Sequence, residues 1–460
     1  MNDSRPDKAL VFAHSREQFE TLVDEALALA LKTGATAASA GISEDIGLSV
    51  SVRMRDLENV ERNHDRSFGL TVMVGQSQGH ASTSDFSREA IARTVQAAYD
   101  IARFTASDEH AGLPELADLA LDATQHRDLD LFHPWAIDAD DAAQIALQCE
   151  AAALDFDKRI TQSEGASVSA QQSHFVAGNT LGFRGAYASS RHSVSVAPIA
   201  GKGAQMQRDY WFDSMRDPAD LATPDSIGRT AAQRALARLG SRKVATCEVP
   251  VLFDPMLSAG LIGSFVHAVS GGALYRQASF LQDSLGQAVF ADHIDLLEDP
   301  FVPKGKASSP FDSEGVRVCA RQVVDAGVVR GYFLASYSAR KLGMANTGHG
   351  GGSHNLTLRS RLTQPGDDFA AMLRKMDRGL VVTELLGQGV NGVTGDYSRG
   401  AAGFWVEKGQ IVHAVEEVTI AGNLKDMYRN IVAIGADAFT YGGKTSGSVL
   451  IGGMKVAGSA

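Results

Sequence analysis

Cysteine is scarce in this chain: 460 residues hold only Cys149, Cys247 and Cys319, none of them in a Cys-x-x-Cys pair. An odd, widely spaced set of three excludes a disulfide scaffold and favours a reducing compartment, with the cytoplasm as the expected location. Proline is sparse too, at 12 residues against 46 glycines, a balance that suits turns and short strands rather than disorder. Long apolar runs are missing. No window approaches ~18 uninterrupted apolar residues, so no membrane span is expected. The opening MNDSRPDKALVFAHSREQFE has no apolar core of the kind a signal peptide needs. Positive charge is in deficit: the formal net charge is −11 and the pI is near 5.6. With no Lys/Arg stripe, there is no electrostatic footprint for nucleic acid.

What remains is an ordinary globular composition, 44% hydrophobic and 21% charged. A chain of 460 residues exceeds one ordinary core, so more than one domain is expected. The first clear element is an amphipathic helix from about Ser15 to Lys32, with Phe19, Leu22, Val23, Ala26, Leu27 and Ala30 at helical spacing. Strand-like stretches come next at Ile46–Val52 and Phe68–Val74, then a helix from about Ser87 to Arg103. The order then repeats. Asp138 opens a helix to about Asp157, with acidic residues suited to its positive end. Strands are expected at Ala166–Ala170, Ser189–Ala197 and Gln205–Phe212, and a helix from about Ser226 to Leu239. After residue 242 glycine-rich turns become dense and strands dominate: Glu248–Phe253, Glu314–Asp325, Gly379–Leu386, Gly403–Val406, Ile411–Ile420 and Ser448–Val456. Two helices interrupt them, at Asp254–Ser270 and Asp367–Asp377. The expected fold class is α+β, with helix/β-meander units at 1–108 and 109–242 and a β-rich domain with a few helices at 243–460.

Several motif-like patterns fail on their context. Gly387-Gln-Gly389-Val-Asn-Gly392 matches G-x-G-x-x-G, but the next residues, Val393 to Gly400, cannot open the helix that would face a pyrophosphate. Gly443-Lys-Thr445 resembles the end of a P-loop, yet Ala438 stands where that motif needs glycine. No G-x-S-x-G elbow occurs. His349 and His354 lie five apart in a glycine-rich loop and could ligate a metal together with a remote carboxylate such as Glu384. Against that, loop histidines are more often solvated or bonded to backbone, and a loop is also a common place for substrate or interface contacts. The helix at Asp254–Ser270 is capped by Asp254 and Pro255 and stopped by Gly271-Gly272. It carries one histidine, His267, and no Asp or Glu occurs between Pro255 and Gln282. A helical hydrolytic zinc site needs imidazoles for the metal and a carboxylate for the water's proton, so His267 reads as a packed or hydrogen-bonded residue.

Specific blocks then stand out: Ser270-Gly-Gly-Ala-Leu-Tyr-Arg276, Ser279–Gly286, Ser309–Arg317, Ser336–Gly343, Gly387–Val406 and Ile420–Ile431. In these blocks, and more weakly over the N-terminal half, the chain resembles the TldD/PmbA metallopeptidase family, on its PmbA branch. The resemblance implies a cytoplasmic protease system acting on peptides and unfolded proteins. It also brings an older family label, modulator of DNA gyrase. In TldD members the His-Glu-x-x-x-His motif lies on the helix corresponding to Asp254–Ser270, and a cysteine near the C-terminus adds a ligand. Here the helix lacks the motif and no cysteine occurs after Cys319. The resemblance therefore implies a subunit that binds no zinc itself and pairs with a zinc-bearing TldD-type partner, or with itself, around a cavity. Arg276, Asp396 and Arg399, in the most family-specific blocks, and His349 are candidate cavity or interface residues, with structural ion pairs or turn caps as the competing reading. Two other readings stand beside this one: a self-sufficient metallopeptidase using His349 and His354, and a non-enzymatic regulator of a protein such as gyrase.

Overall fold

The computed structural model describes residues 11–122 and 126–458. The expectation of no leader peptide in residues 1–10 lies outside them. The chain divides into two compact units, one of residues 1–237 with 310–317, the other of 238–309 with 318–460. The α+β class expected from the sequence holds in both.

The first unit runs α1 (Arg16–Thr33), β1 (Ala37–Arg53), β2 (Asp56–Val74), β3 (Ser77–Thr83), α2 (Arg88–Phe104), α3 (Ala139–Leu154), β4 (Ile160–Asn179), β5 (Arg184–Ala200), β6 (Gln207–Arg208), β7 (Trp211–Met215) and α4 (Pro224–Ala237). Its helices begin where the sequence offers caps: Ser15 and Asp138 each form a reciprocal capping box, and Ser87 accepts from Ala90 N–H. The strands form one antiparallel sheet in the order β3-β2-β1-β4-β5-β6, with β7 also on β5. The two helix–meander–helix halves thus share a continuous sheet through the β1–β4 pair. Even-numbered residues of β1, from Ala38 to Val52, point into the core, while the odd ones, such as Ser39, Ser43 and Ser49, stay partly exposed.

One charge interrupts that apolar row. Glu44 is fully buried and accepts hydrogen bonds from the N–H groups of Ala13 (2.8 Å) and His14 (3.1 Å). His64 Nε2 at 2.5 Å, His174 Nε2 and His14 Nδ1 also face its oxygens. Burial pushes this carboxyl up, but the N–H of Ala13, the two rings of His64 and His174 and the N–H of His14 outweigh it and hold it at about 2. Stability from Glu44 is therefore fully present above the ordinary carboxylate value of 4.5 and is lost as pH falls through about 2. Urea midpoints between pH 5 and pH 2.5 are expected to fall less steeply for Glu44→Gln than for the parent chain. Equal slopes would refute this account of Glu44.

The second unit runs β8 (Cys247–Phe253), α5 (Pro255–Ala268), α6 (Gly271–Tyr275), β9 (Ile294–Asp299), β10 (Arg321–Asp325), β11 (Val328–Val329), α7 (Ser336–Leu342), β12 (Asn355–Ser360), α8 (Phe369–Met376), β13 (Gly379–Leu386), β14 (Asp396–Glu407), β15 (Gln410–Asn423), α9 (Leu424–Arg429), β16 (Ile431–Ile434), β17 (Phe439–Tyr441), β18 (Lys444–Ser446) and β19 (Val449–Ala457). One sheet has the order β15-β14-β13-β8-β19-β16, and β15 also pairs with β19, so five strands close on themselves and β16 hangs outside the ring. A second sheet has the order β11-β10-β9-β12-β18-β17. Three short helices, α6, α7 and α9, join the two that the sequence announced. The strand expected over Glu314–Asp325 is cut: only Arg321–Asp325 is strand. Gly315 sits at φ +81, and Asp312 Oδ1 accepts from the N–H of both Glu314 and Val316, so residues 310–317 turn and join the first unit. The expected strand Gln205–Phe212 is likewise broken into β6 and β7.

Candidate functional site

The second unit gathers charge and imidazole around one strand. Along β9, Ile294, Leu296 and Glu298 alternate onto one buried face, so Glu298 replaces an apolar residue in a core row. Register sets its neighbours. Arg321 of β10 is the cross-strand partner of Glu298, and β12 on the other side pairs Leu356 with it, which brings His354 alongside. The loop between α7 and β12 leaves the helix at Gly343, with φ +63, and returns over Phe333, against whose ring His349 stands edge-on at 5.0 Å.

Each oxygen of Glu298 is engaged. Oε1 accepts from the backbone N–H of His354 at 2.8 Å, and Oε2 accepts from Arg321 Nε at 2.7 Å. His349 Nε2 lies 3.0 Å from both oxygens and 3.1 Å from Arg321 Nη2, while its Nδ1 meets Thr347 Oγ1 at 2.9 Å. His354 turns Nε2 to the carbonyl of Gly348 at 3.2 Å. Burial raises the Glu298 carboxyl, but the His349 hydrogen bond, the His349 and Arg321 charges and the His354 N–H hold it at about 2. Burial pushes His349 below the ordinary imidazole value against the pull of Glu298, with Arg321 and His354 adding to the drop. At neutral pH the cluster is an ionised carboxylate answered by a guanidinium, with the buried His349 ring, pushed toward its neutral form, beside them.

Among the described residues, Glu298, His349 and His354 form the one group of three or more such side chains whose ligand atoms lie within 4.8 Å of one another. The carboxylate that joins the two histidines is Glu298, which the sequence reading passed over. Glu384, offered there instead, is ion-paired at 2.5 Å with Arg238. The residues do not fit a metal as they stand: both carboxylate oxygens already hold N–H donors, and a permanent cation lies against Glu298 and His349.

The other candidates go elsewhere. Arg276 is exposed at the end of α6, its guanidinium 5.2 Å over the Tyr275 ring. Asp396 accepts from Thr394 Oγ1 at 2.7 Å and Asn423 Nδ2 at 3.1 Å, bonds that lower its carboxyl and cap the turn before β14. Arg399, next but one to Tyr397, has a buried Nε with no partner among the described residues. His267 corrects the sequence reading: its ring is exposed on α5 and makes no hydrogen bond among the described residues. Cys149 is buried, its thiol pushed up to about 12 by burial and the Glu150 charge. No described helix is long and apolar enough to cross a membrane.

Comparison with known proteins places this architecture among metallopeptidases. Three family models match in order: PmbA/TldA metallopeptidase domain 1 over residues 38–102, the central domain over 132–239 and the C-terminal domain over 246–458. The chain is similar to metalloprotease PmbA of Escherichia coli O157:H7, 47% identical over 440 residues that cover 95% of this chain and 96% of the relative. It is similar to a PmbA homolog of Haemophilus influenzae, 43% identical over the full length of both. Among solved structures, a protein of Bacteroides thetaiotaomicron described as a candidate modulator of DNA gyrase aligns at TM-score 0.90 and 27% identity, covering 97% of this chain and all of that one. TldE of Thermococcus kodakarensis shares the fold at TM-score 0.80 and 18% identity, covering 96% of this chain and all of that one. The chain belongs to the PmbA/TldD metallopeptidase family.

Proposed function

We propose that this chain is the subunit of a TldD/PmbA-type metallopeptidase that holds no catalytic metal. It pairs with a zinc-bearing TldD-type partner in the cytoplasm, or with a second copy of itself when alone, and completes an enclosure that admits extended or unfolded peptides. The observation that carries this reading is α5. This helix offers a single exposed histidine and no carboxylate, so it can neither grip zinc nor take a proton from a metal-bound water. The edge strand β3 supports it, since an extended peptide can add to such an edge through backbone hydrogen bonds without a sequence requirement. On this reading Arg276, Asp396 and Arg399 serve the cavity wall or the subunit contact.

A second reading, a self-sufficient metallopeptidase, is favoured only by the gathering of Glu298, His349 and His354, and it must displace Arg321. One assay separates the two: zinc content and cleavage of an unstructured peptide, for the chain alone and mixed with a TldD-type subunit. The expected result is a metal-free, inert chain that raises the cleavage rate of the TldD-type subunit. Chelator-sensitive cleavage by the chain alone, lost in a His349→Ala, His354→Ala double variant, would overturn the proposal.

A further inference from the structure

The side chains around Glu298 are of the types that bind a metal. Zinc binds imidazole nitrogen and carboxylate oxygen at about 2.0–2.2 Å each, which sets two tetrahedral ligands on one ion about 3.4 Å apart. His349 Nε2 and the Glu298 oxygens are 3.0 Å apart, and His354 completes a trio within 4.8 Å. A cation is already there. Arg321 places Nε 2.7 Å from Glu298 Oε2 and Nη2 3.1 Å from His349 Nε2. It is held in place from its other side, since Nη1 donates to the Tyr332 carbonyl at 2.8 Å and the guanidinium lies 4.8 Å over the Phe333 ring. Lysine could lose its charge in such a place; arginine does not.

We infer that Arg321 is a built-in cation standing where a metal ion would bind, and that it keeps the Glu298–His349–His354 cluster closed to metal while pinning the Gly343–His354 loop to β9. The inference rests on the reading of the chain as metal-free and goes further, because it says what holds the site shut. The frame belongs to the backbone: Glu298 and Arg321 are cross-strand partners, and His354 is set by the β9–β12 register. Removing the guanidinium therefore vacates the position beside three candidate ligands that lie within 4.8 Å of one another, and zinc accepts three protein ligands with a fourth position left for water.

The test uses the full chain, its Arg321→Met variant and the Arg321→Met, His349→Ala double variant, each equilibrated with zinc sulfate and then assayed for bound zinc and for the zinc-induced shift of the thermal midpoint. The parent chain is expected to hold no zinc and show no shift. Arg321→Met should take up about one zinc per chain and be stabilised by it, and the double variant should bind at least ~10-fold more weakly. An Arg321→Met variant that folds and stays zinc-free overturns the inference while leaving the metal-free reading intact. A parent chain that itself takes up about one zinc and is stabilised by it overturns both. Should Arg321→Met not fold, Arg321→Lys keeps the question open to measurement. Its ammonium lacks the guanidinium's fork and fills less of the site, so zinc uptake above that of the parent chain supports the inference and uptake equal to it counts against it.

Discussion

Glu298→Gln is expected to destabilise the second unit by about 3–5 kcal/mol, because removing one partner of a buried ion pair strands the other. The variant leaves Arg321 without its counter-charge in a strand pair whose carboxylate is fully covered. A glutamine can accept the His354 N–H, but its amide hydrogens then point at Arg321 Nε, donor against donor. The loss is expected as a lower urea midpoint at pH 7. Because the carboxyl sits at about 2 in the folded chain, the difference between parent and variant shrinks as the medium is acidified below the ordinary value of 4.5. A variant within about 0.5 kcal/mol of the parent, the range of an ordinary surface change, would show that the cluster holds nothing together.

Gly403→Ala should be at least as damaging, for a steric reason. A Cβ built on Gly403 would lie 1.8 Å from the Val381 carbonyl oxygen and 3.1 Å from Val382 Cα. These are backbone atoms of the paired strand β13, and the register shifts here in both ladders that β14 makes, between Val382 and Glu384 against β13 and between Ala401 and Gly403 against β15. The strands cannot separate there without opening the ring, so a loss above ~3 kcal/mol or failure to fold is expected. Gly260→Ala is the contrasting control: nothing lies within 4 Å of its Cβ, it is exposed on α5, and a gain of roughly 0.5–1 kcal/mol is expected. If both substitutions shift the urea midpoint alike, close approach at Gly403 is not what requires glycine there.

The helices were legible in the sequence because their ends are chemical: Ser15, Ser87, Asp138 and Asp254-Pro255 all cap the elements they announced. The long strands were legible only in part. The sequence reading began at Ile46 and Phe68, while β1 and β2 extend over Ala37–Arg53 and Asp56–Val74. Much of β2 is exposed and charged, so tertiary pairing rather than apolar alternation sets its length. The cluster was half legible. His349 and His354 were visible as a pair, but Glu298 lies 51 residues before His349, and Arg321 meets it only through sheet register. A signal did exist. In Ile294-Asp-Leu-Leu-Glu298 a carboxylate takes the third place in an apolar alternation, and a charge on a core row requires a partner.

The ring of β15, β14, β13, β8 and β19 fastens its first-made strand to its last: Phe253 of β8 lies opposite Val449 of β19. On a ribosome, therefore, β8 waits with one side unclosed while nearly 200 further residues are polymerised. The loop that must then be gathered is among the longest the unit contains, which makes closure slow and leaves apolar strands uncovered in the meantime. The ring therefore cannot close before β19 has been made, and until then its unfinished sheet is exposed to misassembly.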